Sequence, residues 1–267
     1  MSQKVQTLFN DDEHRVLFFT DLVAGEAIPS NQMVIVDHGE AALFDPGGEL
    51  TFTPLSIELA KHLNVKSDLR YVFASHQDPD IITSLPRWLM HSECKVVTSR
   101  LWARFLPHLV SDFVSGKMNK SLMDRMVEIP DEGGKIRLGK SAIVAVPAHF
   151  LHSVGNFHFY DPVSKILFSG DVGAAMTPGQ DHEPVADMDD HIPLMEGFHK
   201  RYMACNKACR IWVNHVRTLD IEMIVPQHGK RFEGPVMVDR FLNWVSEMDC
   251  GIDLVSQDNY RQPVEYV

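Results

Sequence analysis

The sequence predicts a mixed α/β fold built as one domain over residues 1–267, and three observations predict it. Short β-rich runs alternate with stretches of helical spacing along the chain, with strands outnumbering helices. A chain of 267 residues with 45% hydrophobic composition can bury a sizeable core. No internal repeat, low-complexity linker or break in composition marks a second domain, and no GxGxxG or Walker run favours a nucleotide fold.

Two short strands open the fold, near Val16–Thr20 and Met33–Val36. A third, near Ala41–Phe44, ends in Asp45-Pro46-Gly47-Gly48, a strong turn signal. Leu55, Leu59 and Leu63 recur four apart and predict a helix over Pro54–Leu63. Leu69–Ala74 reads as a buried strand running straight into His76, followed by a short helix at Ile82–Leu89 and a strand at Lys95–Thr98. Leu101–Met126 is helical in pattern but broken by Pro107 and Gly116. Val127–Ile129 and Ile136–Leu138 flank Asp131-Glu132-Gly133-Gly134 and predict a hairpin. Ala142–Val146 is a strand leading to the His149–His152 loop, and Phe157–Tyr160 pairs with Ile166–Phe168 around Asp161-Pro162-Val163-Ser164. Met176–Pro193, rich in Asp, Pro and His, reads as irregular. Leu194–Val216 is the longest helix, followed by the strand Met223–Val225, the loop holding His228 and a carboxyl-terminal helix near Pro235–Met248.

Composition excludes several functions. A formal net charge of -11 lacks the electrostatic footprint of a nucleic-acid binder. No window approaches the roughly 18 uninterrupted apolar residues of a membrane helix. The start, Met-Ser-Gln-Lys-Val-Gln-Thr, has no apolar signal region, so the expected address is cytoplasmic. Cys94, Cys205, Cys209 and Cys250 form no CxxC pair and read as buried thiols, although Cys205 and Cys209, one helical turn apart, are spaced for a redox pair.

The chemistry-bearing run is His76-Gln77-Asp78-Pro79-Asp80, directly after a buried strand. Its companions are His152 in His-Ser-Val-Gly, Asp171 in Phe-Ser-Gly-Asp and His228 in Pro-Gln-His-Gly, each at a strand end. A lone histidine is more often a core or surface residue than a ligand, and a lone Asp after a strand is usually a turn or helix-cap residue. Together they offer imidazole nitrogen plus anionic oxygen, and Asp171 is the best candidate for a carboxylate bridging two cations.

This ordered set resembles the metallo-β-lactamase fold superfamily, whose ligand signature is HxHxDH followed by His, Asp and His. Phe44-Asp45-Pro46-Gly47 is similar to its structural Asp-x-Gly turn and Phe168-Ser169-Gly170-Asp171 to its bridging-Asp strand, and the resemblance spans roughly residues 30–230. It implies a four-layer αββα sandwich with the site at one edge of two packed sheets. Asp78 stands where zinc hydrolases of this fold carry their second His; the branch with a carboxylate there is the flavodiiron proteins, with HxExDH. The 19 residues from His152 to Asp171 (171 − 152) are similar to that branch too. Hard oxygen ligands shift preference from zinc toward iron or manganese. Carried over residue by residue, one iron would take His76, Asp78, His152 and Asp171, and the other Asp80, Asp171 and His228. Ile81 stands where the family has a further His, either leaving an open ligand position or simply packing the next helix.

The resemblance implies a di-iron (Fe–O–Fe or Fe2) cofactor, with zinc or manganese as alternatives. The chain leaves no room for the flavodoxin-like domain that feeds electrons in flavodiiron proteins. A ferrous pair supplies two electrons, half of what reduction of dioxygen to water takes. The expected function is therefore a non-haem di-iron protein that binds, and slowly reduces, O2 or NO, as an oxygen sensor or oxidoreductase, similar to standalone chemotaxis-linked di-iron proteins. The alternatives are an O2/NO reductase fed by separate redox partners and a binuclear hydrolase using a metal-bound hydroxide. His149 and Asn31 are candidates for groups supporting the ligands. Asp181, His182, Asp187, Asp189, Asp190 and His191 read as a solvated loop or an extra metal site. Met195, Phe198, Tyr202, Cys205, Cys209, Trp212 and Val213 recur at three- and four-residue steps, a core stripe wide enough to serve as a homodimer face. A redox or chemotaxis-signalling protein is the expected macromolecular partner.

Overall fold

The computed structural model describes residues 4–23, 28–118, 121–261 and 265; residues 1–3 of the amino-terminal reading and 119–120 of the broken helical stretch lie outside the described residues. The first sheet has seven strands in chain order: β1 Val5–Asn10, β2 His14–Phe19, β3 Gln32–Asp37, β4 Glu40–Phe44, β5 Leu69–Ala74, β6 Lys95–Ser99 and β7 Met126–Ile129. The first four strands run antiparallel to their neighbours, whereas β4 to β7 are mutually parallel. Their crossovers carry helices α1 Glu49–Leu59, α2 Val65–Asp68, α3 Pro79–Ile82, α4 Leu85–His91, α5 Arg100–Ala103 and α6 Asp112–Ser115.

The second sheet comprises β8 Gly134–Leu138, β9 Ser141–Pro147, β10 Phe157–Asp161, β11 Ile166–Phe168, β12 Met223–Val225 and β13 Phe232–Glu233, in the reverse spatial order β13 to β8. Three helices cover it: α7 Met188–Tyr202, α8 Asn206–Val216 and α9 Pro235–Glu247. Among the described residues no helix is long and apolar enough to cross a membrane.

Strand alternation builds the layers. Along β2 to β4, Val16, Phe18, Met33, Ile35, Ala42 and Phe44 face the second sheet, while Leu17, Phe19, Val34, Val36, Ala41 and Leu43 face the first sheet's helices. In the second sheet Phe157, Phe159, Ile166 and Phe168 point inward, and Val146, Tyr160 and Leu167 point toward α7, α8 and α9. The order is helix, sheet, sheet, helix, the αββα sandwich. Phe44 stacks on Phe73 at 4.7 Å between ring centroids and Phe73 meets Phe159 edge-on at 4.9 Å, which ties the sheets directly beneath the site. Each such fully buried ring contributes roughly 1.5–3 kcal/mol. A polar clamp joins the sheets elsewhere: His14 on β2 sits 2.9 Å from Asp37 on β3 and 2.7 Å from Asp161 on β10.

Several elements depart from the sequence expectation. The hairpin around Asp131–Gly134 does not form: β7 pairs with β6 in one sheet and β8 with β9 in the other, so this turn carries the chain between layers. Gly133 has φ +81°, and a Cβ there would strike the Ala145 carbonyl. Helix α1 starts at Glu49, directly after the Gly47-Gly48 turn, with Pro54 inside it and Leu63 beyond its end. Met188–Pro193, read as irregular, is the start of α7. Asp187 caps it by accepting from the Asp189 N–H at 2.7 Å, and Asp189 and Asp190 lie in the first turn, where carboxylates favour a helix. The long helix Leu194–Val216 is two helices, because Met203 and Cys205 are extended and Ala204 between them is pinned: its N–H donates to Phe150 O (3.1 Å) and its carbonyl accepts from Ile252 N–H (2.9 Å). Strands β1 and β13 add to the elements that the sequence predicts.

Candidate metal centre

Five loops leave the carboxyl ends of β4, β5, β9, β11 and β12 at one edge of the sandwich, and they carry Asp45, His76, His152, Asp171 and His228. Parallel pairing of β4 with β5 and of β11 with β12 puts those ends side by side, which is where open α/β sheets hold ligands. Asp171 follows Gly170, whose φ of +50° turns the chain sharply off β11. Asp78 and Asp80 flank Pro79, the first residue of α3.

The six side chains form two half-sites sharing Asp171. On one side Asp171 Oδ2 lies 2.9 Å from His152 Nε2 and 3.5 Å from His76 Nε2. Asp78 Oδ2 closes that half at 3.5 Å from His152 Nε2 and 3.8 Å from His76 Nε2. On the other side Asp171 Oδ1 lies 3.4 Å from His228 Nε2, which is also 3.4 Å from Asp80 Oδ2. In the first half, one ligand atom from each of His76, Asp78, His152 and Asp171 lies within 4.8 Å of all the others.

Hydrogen bonds outside the site aim the rings. His76 Nδ1 meets Ser75 Oγ at 2.8 Å, and Ser75 donates from Oγ and from its backbone N–H to the two oxygens of buried Asp45, each at 2.7 Å. His228 Nδ1–H donates to the Pro29 carbonyl at 2.7 Å. In the neutral form that binds a metal, both rings would keep the proton on Nδ1 and present the Nε2 lone pair toward the carboxylates. Asn31 holds the His228 loop: its side-chain amide donates to the Pro226 (3.1 Å) and Gly229 (2.8 Å) carbonyls, and its N–H to Gln227 O (2.6 Å).

Electrostatically the cluster is one network. Burial disfavours the Asp171 carboxylate, but the charge of His76 first and then the adjoining His152 and His228 imidazoles hold its pKa well below the usual range. Burial lowers His76, yet Asp171 and neighbouring carboxylates outweigh it and push it up to about 9; Asp171 and Asp80 likewise bring His228 up to about 10. Asp45 is raised to about 6 by burial. Among the described residues His76 Nε2 and Asp171 Oδ1 are buried without a hydrogen-bond partner, a costly state for polar atoms unless an ion satisfies them. Imidazole and carboxylate groups converging on these unsatisfied atoms fit a pair of divalent cations.

A cavity of about 310 Å³ opens onto these groups. Its floor is Asp78, Asp80, His152, Asp171 and His228, and its rim is apolar, with Met176, Leu194, Phe198 and Tyr202. Phe198 and Tyr202 stack at 4.7 Å and both meet the His152 ring edge-on, at 5.9 and 5.5 Å. Sequence spacing places them in a core stripe or homodimer face, not at the site. Met195, Cys209, Trp212 and Val213 of that stripe are indeed core, whereas Tyr202 is 54% exposed at the cavity mouth. Two buried histidines outside the sequence-predicted set also adjoin the site. His158 lies near His76 and Asp171, held neutral at a pKa of about 3 by burial, then by His76. His199, pushed down to about 4 by burial, accepts from the Gly173 N–H at 2.9 Å, two residues after Asp171. The signal was available in Phe157-His158-Phe159, a polar ring inside an apolar strand.

His149 is placed elsewhere. Its Nε2 meets Asp131 O at 2.8 Å, and it lines a separate cleft rather than the cavity over the carboxylates. Exchange of His149 for Ala is therefore expected to leave bound metal within about twofold of wild type, well short of the roughly 10–100-fold loss that follows removal of a group supporting a ligand, as elemental analysis would check. Ile81 is fully buried in the apolar cluster between the first sheet and its helices. The acidic loop does not converge on one point: Asp181 bonds Thr177, Asp187 caps α7 and Asp189 pairs with Arg240.

The family model for ODP family beta lactamase matches residues 28–229. The fold is similar to that of the peroxy diiron species of chemotaxis sensor ODP, at 38% identity, covering 96% of this chain and 100% of that one with a TM-score of 0.83. The apo state of chemotaxis sensor ODP from T. denticola is similar at 38% identity, covering 96% and 99% of the two chains with a TM-score of 0.80. A flavodiiron core from Synechocystis sp. shares the fold at 17% identity, with 92% of this chain and 62% of that one covered and a TM-score of 0.73. Comparison with curated proteins returned no match.

Proposed function

Because the chain belongs to the ODP family of beta lactamases, we propose that it is a non-haem di-iron protein that binds O2 at the Asp171-centred site and serves as an oxygen sensor. One observation carries this reading: Asp171 presents one oxygen to His152 at 2.9 Å and the other to His228 at 3.4 Å, so a single carboxylate spans two half-sites. His76, Asp78, His152 and Asp171 would hold one ion, and Asp80, Asp171 and His228 the other.

When bound, ferrous iron would supply the electrons and the Lewis acidity for a diatomic ligand. The chain's own contribution is charge, orientation and exclusion. Three carboxylates with three neutral imidazoles suit a hard, divalent pair better than an all-histidine zinc set. The half built on Asp80 and His228 has fewer protein donors, which is where a small ligand finds room. Ser75 and Asp45 fix the His76 ring, and Asn31 fixes the loop of His228, so neither reorganises on binding. The apolar rim of Met176, Leu194, Phe198 and Tyr202 limits water above the carboxylates. The same reading makes the chain one cytoplasmic domain, paired with a second copy and reporting to a signalling protein.

Metal analysis after anaerobic purification, followed by O2 titration under a spectrophotometer, tests the proposal. A pair of iron ions per chain and a spectral change that saturates at stoichiometric O2 and persists for minutes is the expected result. Rapid multiple turnover with an added electron donor would move the assignment to a reductase, and zinc with hydrolytic turnover to a hydrolase.

A further inference from the structure

We propose that Cys209 and Cys250 are a reversible dithiol–disulfide pair whose oxidant is a hydroperoxide. The two sulfurs, 41 positions apart in the chain, lie 3.8 Å apart and both residues are wholly buried. The sequence reads all four cysteines as buried thiols, with Cys205 and Cys209 spaced for a pair as the alternative; the fold turns Cys209 to Cys250 and leaves Cys205 half-buried on the wall of a cleft of about 870 Å³. Cys94 is far from this group, enclosed by Arg125, whose guanidinium takes the Cys94, Leu89 and Ser92 carbonyls.

The approach of the two sulfurs is built in. Cys250 precedes a 3-10 turn, Gly251–Leu254, that docks on the junction of α7 and α8. Gly251, at φ +51°, leaves no room for a Cβ against the Met203 and Ala204 carbonyls. Asp253 Oδ2 accepts from the Asn206 and Cys250 N–H groups, at 2.5 and 3.2 Å, and the Asn206 side chain donates to Met248 O at 2.9 Å. These bonds hold Cys250 on the buried face of α8. A disulfide needs sulfurs about 2.05 Å apart, so closing the remaining gap of about 1.8 Å takes a small shift of this short turn. Cys205, Ala208, Trp212 and Ile252, close neighbours of Cys209 and Cys250 in the chain, line the cleft, the side from which a small oxidant would approach.

Hydrogen bonding between the two sulfurs favours the thiolate at Cys250 and the thiol at Cys209. The Cys250 sulfur attacks the terminal oxygen of the hydroperoxide; the O–O bond breaks, leaving a sulfenic acid at Cys250 and releasing the alcohol, or water from hydrogen peroxide. The Cys209 sulfur then displaces the sulfenic oxygen as water and the S–S bond forms. Two sulfur electrons have reduced one peroxide bond, and an external dithiol restores both thiols by exchange. The cross-link would lie beside Ala204, which is hydrogen bonded to both Ile252 and Phe150, two residues before His152.

The test treats the intact, metal-loaded chain with stoichiometric hydrogen peroxide, then counts thiols after denaturation and maps unreduced peptides by mass. Thiols should fall from four to two, with one peptide pair joining Cys209 to Cys250 and full recovery in dithiothreitol. Cys205→Ser should form the same cross-link, and Cys250→Ser should form none. An unchanged thiol count in the wild type, oxidation to sulfinic acid without a cross-link, or a bridge between Cys205 and Cys209 would overturn the proposal.

Discussion

Replacing Asp171 by Ala is expected to remove both metal ions, whereas Asp78→Ala and Asp80→Ala should each chiefly weaken one. Asp171 alone serves both half-sites, with Oδ2 toward His76 and His152 and Oδ1 toward His228. Its loss should exceed the roughly 10–100-fold drop in affinity typical of losing only an outer-shell partner, so metal per chain falls well below one under reconstitution that fills the wild type. The metal-free chain suffers too. His76 and His228, with pKa values of about 9 and 10, are charged at neutral pH and buried, and Asp171 is their shared counter-ion. Removing one partner of such a buried cluster costs roughly 3–5 kcal/mol. Metal uptake must displace those imidazole protons, so loading the wild type should release protons at neutral pH and weaken as pH falls. Elemental analysis with urea unfolding of the metal-free forms separates the two effects; wild-type metal content in the Asp171→Ala chain would remove Asp171 from the bridging role.

How much of this was legible depended on how locally each feature is encoded. His76, Asp78 and Asp80 sit in one loop after a strongly apolar strand, so strand, turn and donor set could be read together. His152, Asp171 and His228 each follow a β-rich run, and the order of the donors carried the resemblance that implied the sandwich. The hairpin at Asp131–Gly134 misled because a Gly-Gly turn looks the same whether the next strand returns to its own sheet or crosses to the other. Asp187, Asp189 and Asp190 read by composition as a solvated loop or an extra metal site, whereas in the fold they form a capped first turn. Phe198 and Tyr202 illustrate a different limit: a helical period says which residues share a face, not that one end of that face overhangs the ligands. The break at Ala204 and the grip of Asn31 on the His228 loop depend on partners far away in sequence, Phe150 and Ile252 in one case and Pro226 and Gly229 in the other. Asn31 could be suspected of supporting the site, but its means of doing so lay in the fold.

Replacing His14 by Ala should destabilise the chain by roughly 3–5 kcal/mol, because two buried carboxylates then lose the cation between them. His14, Asp37 and Asp161 are each no more than 3% exposed, and the imidazole meets one carboxylate at each nitrogen, 2.9 and 2.7 Å away. Backbone N–H groups of Lys140 and Ser141 also hold Asp37, and Ser164 and Val163 hold Asp161, so the carboxylates remain ionised and the loss falls on the charge pair. Burial lowers the His14 pKa, but Asp161 and then Asp37 outweigh it and leave it raised. Its stabilisation is therefore complete below the unfolded histidine value of about 6.5 and is lost as pH rises through the higher folded value. Asp37 and Asp161 are lowered against burial, chiefly by the His14 hydrogen bond, so their share is present above about 3.9 and lost as pH falls through their depressed folded values. The clamp is thus strongest between roughly pH 4 and 6.5. His14→Gln keeps the shape and discards the charge; urea unfolding from pH 6 to 9 should show the wild-type advantage over it shrinking as pH rises. His76 and His228 titrate in both chains, so the difference isolates His14, and an advantage independent of pH would show that His14 is neutral in the fold.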